Sequence, residues 1–475
     1  MSAKFADFMK GFSYAMMSNF ITLITSSLVI IVIPKLIGVQ EYGYWQLYMF
    51  YTSYVGFLHF GWNDGIYLRY GGKEYKDLDK HRFFSQFWML VFSQIIVAIS
   101  IVIISNRILL NNERFFIVQM TIICMIIVNS RLMLLYILQS TNRIKEYSVI
   151  ITLDRVLYLG LLIVFLGFGI REFKFMIFSD LVAKFIALIF SAYYCKEIVY
   201  RRFSDFSFQI KETMVNICVG AKLMLSNIAS LLIIGTVRFG IERSWDVTTF
   251  GKISLTLSIS NLLMIFINAL GMILFPVLRR IEETKIPRVY VTMRNLFSII
   301  ILGLLVAYYP LKIILSSWLP NYADSLIYMA ILFPMIMFEG KMSFLINTYL
   351  RTLRLENLIL KINIVALIVS VLCTLISSLM FKSLDLAVLS IIIVLGFRSV
   401  LAEILLSKTL KVSFLRDVIL ELTVIVSFIL SAWFINSWLS FLLQILLYGC
   451  YILIKRYDVV RTIREISLLM RDGRA

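Results

Sequence analysis

Apolar residues run through this chain in unbroken stretches of about twenty, separated by short polar connectors. Runs of that length match the roughly 20 residues a helix needs to cross a bilayer. A membrane barrel would alternate apolar and polar positions over about ten residues, so the pattern predicts helices. Fourteen are expected. The first seven cover residues 14–37, 43–67, 83–104, 115–139, 149–169, 175–194 and 215–237. The second seven cover 250–274, 296–315, 325–345, 358–381, 384–406, 418–435 and 438–454.

Alternate connectors differ in charge. One set carries Arg69, Lys73, Lys76, Lys80 and Arg82, then Arg143 and Lys145, then Lys196, Arg201, Arg202 and Lys211. Arg279, Arg280, Lys285, Arg288, Arg351, Arg354, Lys408, Lys411 and Arg416 continue it, and the opposite set is sparse in cations. The positive-inside rule then places both termini and the basic connectors in the cytoplasm, and an even span count agrees, since it returns the chain to its starting side.

Composition agrees with that reading. The chain is 60% hydrophobic and only 16% charged, against roughly 45–50% apolar in a soluble domain. A formal charge of +18 raises the question of nucleic acid, but its confinement to connectors makes it an orientation signal instead. No cleavage pattern follows Lys4 and Lys10, so the first span is expected to stay in the membrane. Cys124, Cys195, Cys218, Cys373 and Cys450 form no C-x-x-C and fall in spans or at their ends. They read as small apolar packers.

The chain also repeats itself. Met16-Met17-Ser18-Asn19 returns 208 residues later as Met224-Leu225-Ser226-Asn227, and Tyr42-Gly43 returns at the same offset as Phe250-Gly251. Two matches at one offset point to a duplicated unit. The offset spans six helices, and six crossings return the chain to its starting side. The two halves are therefore expected to share one orientation, related by a pseudo-two-fold axis along the membrane normal. The expected fold class is an all-α polytopic membrane protein with two six-helix bundles, 1–205 and 206–410, followed by two further helices and a basic tail in 411–475.

Catalytic equipment is not visible. Two histidines, His59 and His81, make no paired motif, and there is no phosphate loop or metal-ligand cluster in the sequence. The outer connectors are too short to hold an active site. No cofactor is expected, and a transporter is favoured over a membrane-embedded polymerase or glycosyltransferase.

Pro34-Lys35-Leu36-Ile37-Gly38 with Glu41-Tyr42-Gly43-Tyr44 resembles the P-x-x-x-G-x-x-x-Y-G start of span two in polysaccharide flippases. Phe60-Gly61-Trp62-Asn63-Asp64-Gly65 with Arg69 resembles that family's exit from the same span. The segment from Gly220 to Phe275-Pro276-Val277-Leu278-Arg279-Arg280 is similar to the start of its second half. The family is the O-antigen or capsule repeat-unit (Wzx-type) flippases of the multidrug/oligosaccharidyl-lipid/polysaccharide exporter superfamily. One departure is Val237-Arg238, where relatives often carry Asp-Arg, so an acidic role there does not transfer. The resemblance implies export of an undecaprenyl-pyrophosphate-linked oligosaccharide across a bacterial inner membrane, with membrane lipids and other polysaccharide-assembly proteins as partners. A lipid II flippase or a multidrug antiporter would share the fold.

That task requires a polar, cation-bearing path. Ser18, Asn19, Thr22 and Ser26 lie within a narrow arc of span one, and Ser254, Ser258, Asn261 and Asn268 line one face of span eight. Asn227 and Arg238 share a face of span seven. Arg131 and Arg398 sit deep in spans four and twelve, where a charge costs about 2.5–3.5 kcal/mol at a helix centre, and are the expected pyrophosphate or sugar contacts. Asp154 is a candidate for ion coupling or gating. Asp180 and Lys184 are further candidates for ion coupling or gating, although their i, i+4 spacing also lets them neutralise one another. Glu339, one turn past Pro334 and beside Gly340, is a candidate for H⁺ or Na⁺ coupling at a kinked helix. Its i, i+2 spacing from Lys341 argues against a bond between those two.

Overall fold

The structure is a computed structural model and describes residues 3–108, 111–278, 283–435, 437–462 and 464. Side chains are described for 13–107, 111–262, 264, 267, 284–435, 437–462 and 464. Among these residues it is all helical. Ten helices are long and apolar enough to cross a membrane, and two bent helix pairs raise the number to 12. Fourteen were expected, and the other two, spans two and eight, are not among these twelve. The former is broken into two short helices, and the latter is Val247–Leu278. The all-α polytopic fold expected from the apolar runs is the fold observed.

The chain divides into two compact units, Met1–Ile228 with Val247–Gly251, and Ala229–Asp246 with Lys252–Ala475. The first contains α1 (Ala3–Leu36), α2 (Val39–Val55), α3 (Trp62–Tyr70), α4 (Lys80–Ile108), α5 (Asn112–Ser140), α6 (Ile144–Gly167), α7 (Phe173–Tyr194) and the short α8 (Lys196–Val199). Helix α5 is its centre, packed on α2, α3, α4 and α7. Its apolar window is 61% buried, against 22% for α1 and α6. A central helix presents polar side chains to protein on every side, so buried amides and charges can be satisfied there.

Helix α9 (Ile210–Ser244) contributes its first half to the first unit and its second half to the other. The second unit also holds most of α10 (Val247–Leu278), then α11 (Ile286–Leu304) and α12 (Tyr308–Trp318). Expected span ten is assembled from α13 (Met329–Leu332), α14 (Met335–Gly340), a π-helical segment Lys341–Ile346 and α15 (Asn347–Thr352), bent by 41°. Pro334 accounts for the bend, because it lacks the N–H that a continuous helix needs. Helices α16 (Glu356–Thr374), α17 (Leu384–Leu410), α18 (Leu415–Leu430) and α19 (Trp438–Ile454) complete the unit, with α17 at its centre against α13, α14 and α16.

The repeated glycines have a packing reason. Within the first unit, a Cβ on Gly251 would lie 2.6 Å from Gly43 Cα, and one on Gly43 would collide with the Val247 backbone. The two repeat positions therefore meet each other, backbone to backbone, where no larger side chain fits. Gly61 has φ +86°, and a Cβ there would lie 2.7 Å from the Ala221 nitrogen. Conformation and space both select glycine at that point. Among the cysteines, burial pushes the Cys195 thiol up to about 12, so it stays protonated and packs as a small apolar group.

Candidate functional site

In the first unit, charges collect on the faces that α5, α6 and α7 turn inward. Arg131 of α5 donates from Nη1 to Asp154 Oδ2 of α6 at 2.7 Å. Asp180 of α7 accepts from Lys184 one turn on, as their i, i+4 spacing predicted, and from the Tyr48 hydroxyl of α2 at 2.6 Å. Arg155, next to Asp154 in the chain, adds a further cation to the same helix. Three cations thus accompany two acids. Pairing is what allows these groups to be buried at all, because an isolated charge there would cost several kcal/mol. Arg131 Nε is buried and meets no acceptor among the described residues.

The second unit reverses the arrangement. The residue 208 positions after Arg131 is Glu339, an acid in place of a cation. Glu339 accepts from Arg398 Nη1 of α17 at 2.9 Å, and the same guanidinium donates to Asn363 Oδ1 at 3.1 Å and Ser230 Oγ at 2.8 Å. Both arginines singled out by their depth are therefore already held by acids.

Lys341 turns away from Glu339, as the spacing argument required. Its ammonium reaches Glu403 at 3.0 Å and Glu421 at 2.5 Å. Arg294 of α11 joins them, bonding Glu403 through Nε and lying 3.1 Å from Glu421 and 3.3 Å from Asp417. Ser298 donates to Glu421 at 2.6 Å, and Lys455 bridges Asp417 and Asn295, each at 3.0 Å. This buried network ties α11, α17, α18 and the end of α19 together through the π-helical segment. Sequence reading missed Arg294, Asp417, Glu421 and Lys455. Arg294 and Lys455 fall just outside apolar runs, where cations read as orientation signals. Glu421 was legible, since it interrupts the apolar run of span thirteen.

The polar stripes differ in burial and in bonding. Thr22 and Ser258 donate back into their own helices, at 2.9 Å to Ser18 O and 2.8 Å to Ser254 O. Ser18 donates to Ser148 O at 3.3 Å, across to α6. Arg238 is half-buried and donates from Nη2 to Ser254 Oγ at 3.0 Å. Asn19, Asn227 and Asn261 are exposed on their helices. The Asn268 side chain lies outside the described residues. Among the described residues, no group of three or more His, Cys, Asp and Glu side chains is placed to hold a metal ion.

No family model matches the chain, and neither does any curated protein. Solved structures do. A lipid II flippase, MurJ, in an inward closed conformation superposes with a TM-score of 0.61 at 13% identity, covering 95% of this chain and 100% of that one. An inward-facing multidrug resistance MATE family transporter of the MOP superfamily gives 0.58 at 12% identity, covering 83% of this chain and 99% of that one. An outward-facing MATE transporter gives 0.51 at 12%, covering 85% and 96%. The fold is that of MOP-superfamily membrane transporters.

Proposed function

We propose that the chain is a flippase carrying undecaprenyl-pyrophosphate-linked oligosaccharide repeat units from the cytoplasmic to the outer leaflet by alternating access, for O-antigen, capsule or exopolysaccharide synthesis. It acts without in-chain catalysis, in a bacterial inner membrane with both termini cytoplasmic. The observation that carries the reading is the pair of arginines deep in their spans, the part-buried Arg131 and the buried Arg398, each held by a single carboxylate. A guanidinium so held can exchange its acid for a phosphate oxygen without ever being left unpaired. Asn227 and Asn261 support the reading, because amides exposed at membrane depth are costly unless they line water. The surplus of cations in the first unit favours an anionic cargo over the cationic drugs that an acidic path would suit.

Deleting the gene and identifying the lipid-linked intermediate that accumulates tests the assignment. An undecaprenyl-pyrophosphate oligosaccharide is expected. Accumulation of lipid II would establish the second reading, which the fold similarity to a lipid II flippase favours. An unchanged lipid pool with altered drug tolerance would overturn both.

A further inference from the structure

Helices α5 and α7 begin side by side, with the Lys174 ammonium of α7 lying 3.3 Å from Glu113 of α5. From that pair a groove of about 850 Å³ runs along the two helices. Met120, Ile123 and Ile127 of α5 line one wall, and Phe178, Val182 and Phe185 of α7 line the other. Helix α2 packs on both helices without lining the groove, which therefore opens on the side away from α2. Ile123, Phe178 and Phe185 stand 44%, 55% and 51% exposed there. Both helices are long and apolar enough to cross the membrane, so these side chains meet hydrocarbon.

The groove has the depth of one leaflet. From Phe175 to Phe185 helix α7 rises roughly 15 Å at about 1.5 Å per residue. That is half of a hydrocarbon core about 30 Å thick. Its apolar part therefore matches the reach of a lipid chain that starts at the headgroup level and ends near the midplane.

Charge is found at one end only. Glu172 and Lys174 both line the groove, and both stand at the start of α7. Glu172 precedes the helix in an extended conformation, with φ −77° and ψ 140°. The helical spacing that separates i and i+2 side chains therefore does not apply to it. Its carboxylate is exposed and makes no hydrogen bond or ion pair among the described residues. Lys174 occupies the first turn of α7, the end of a helix where the macrodipole disfavours a cation. Its ammonium has three donors. One goes to Glu113 Oε1 at 3.3 Å, which leaves donors for a second anion.

We propose that the groove holds one phospholipid whose headgroup carries both a phosphate and a primary ammonium. Lys174 meets the phosphate, Glu172 accepts from the ammonium, and an acyl chain fills the apolar part. An unengaged acid and a partly engaged base at the mouth of one apolar groove match a zwitterion. A polyprenyl pyrophosphate would set its phosphates beside the Glu172 carboxylate, and a cationic amphiphile would set its charge beside Lys174. The site goes beyond the flippase reading, because lipid binding here requires no lipid-linked cargo.

The test uses the full-length chain, stripped of lipid in detergent and then given phosphatidylethanolamine or phosphatidylglycerol with the same acyl chains. Native mass spectrometry counts the lipids retained, and thermal unfolding reports their effect on stability. The ethanolamine lipid should be retained about tenfold more strongly, because phosphatidylglycerol has no ammonium to donate to Glu172. It should also raise the unfolding midpoint further. Glu172→Gln, at an exposed position, should bring the two lipids to equal retention. Ile123→Trp, which fills the groove, should lower the count by one lipid per chain. If Ile123→Trp does not fold, the retention ratio in Glu172→Gln decides. Equal retention of the two lipids by the wild type overturns the assignment, as does an unchanged ratio in Glu172→Gln. Stronger retention of a polyprenyl phosphate than of phosphatidylethanolamine, lost in Ile123→Trp, would place the cargo carrier in the groove and overturn it too.

Discussion

The two units carry the same sequence repeat but opposite charge at one matching position. Arg131 in the first corresponds by offset to Glu339 in the second, and each is paired with a partner of the other sign from a neighbouring helix. The first unit keeps a surplus cation around Asp154 and Asp180. The second cancels Arg398 against Glu339 and gathers three further cations with four acids, Glu403, Asp417, Glu421 and Asp458, into one network. The correspondence is limited to that one position, because the residues 208 after Asp154, Asp180 and Lys184 are the apolar Ile362, Val388 and Ile392. The first unit is the better placed to attract an anion, and the second is the more tightly cross-linked.

The largest effect expected from that contrast falls on Arg131 and Arg398. Alanine at either should abolish surface polysaccharide and also strand a buried acid, a loss of about 3–5 kcal/mol. The double variants Arg131→Ala/Asp154→Ala and Arg398→Ala/Glu339→Ala should recover thermal stability without recovering export. Recovery of export in both double variants would show that the arginines serve folding alone. Thermal midpoints together with surface polysaccharide assays separate the two roles.

Lys341→Met should cost about 3–5 kcal/mol as well, since Glu403 and Glu421 lose a shared counterion. Its effect should appear in stability and abundance, while export per folded molecule changes little. A large fall in export per molecule at normal stability would make this network part of the transport path and erase the contrast between the units.

The repeat glycines predict a smaller and symmetrical effect. Gly43→Ala and Gly251→Ala force the same two backbones apart, and each should destabilise by about 1–3 kcal/mol. Because both act at one contact, the double variant should cost less than the sum of the singles. Additive losses in a double-mutant cycle would contradict a shared contact. The smallest effect concerns energy supply. An inside-negative potential should speed outward movement of a pyrophosphate in proteoliposomes, at about 2.3 kcal/mol per charge per 100 mV. Rates that ignore voltage but follow an H⁺ or Na⁺ gradient, and are lost in Glu339→Gln, would assign coupling to the second unit instead.

Much of the site was visible before the fold. Asp180 and Lys184 lie one turn apart on one helix, and local spacing sufficed to pair them. The exclusion of a Glu339–Lys341 bond followed from the same geometry. Asp154 with Arg131, Glu339 with Arg398, and Lys341 with Glu421 were out of reach, because each pair joins different helices. The break in span two was hidden for another reason. Its residues are mostly apolar or aromatic, so the run reads as continuous, and Asn63, Gln94 and Asn129 look like isolated polar substitutions until the chain brings them together.

The sequence by itself determined that the chain is helical, crosses the membrane many times and is internally repeated. Those properties are one-dimensional: the length of an apolar run, the charge of a connector, the distance between two copies of a motif. Tertiary structure alone decided which acid each buried cation meets and which glycines touch. It also decided that the amides at Asn63 and Asn129 each keep one buried oxygen without a hydrogen bond among the described residues. Each of these depends on how far a helix is rotated about its axis and how deep it sits against its neighbours, and side chains 23 or 59 residues apart in sequence become partners only when both are set.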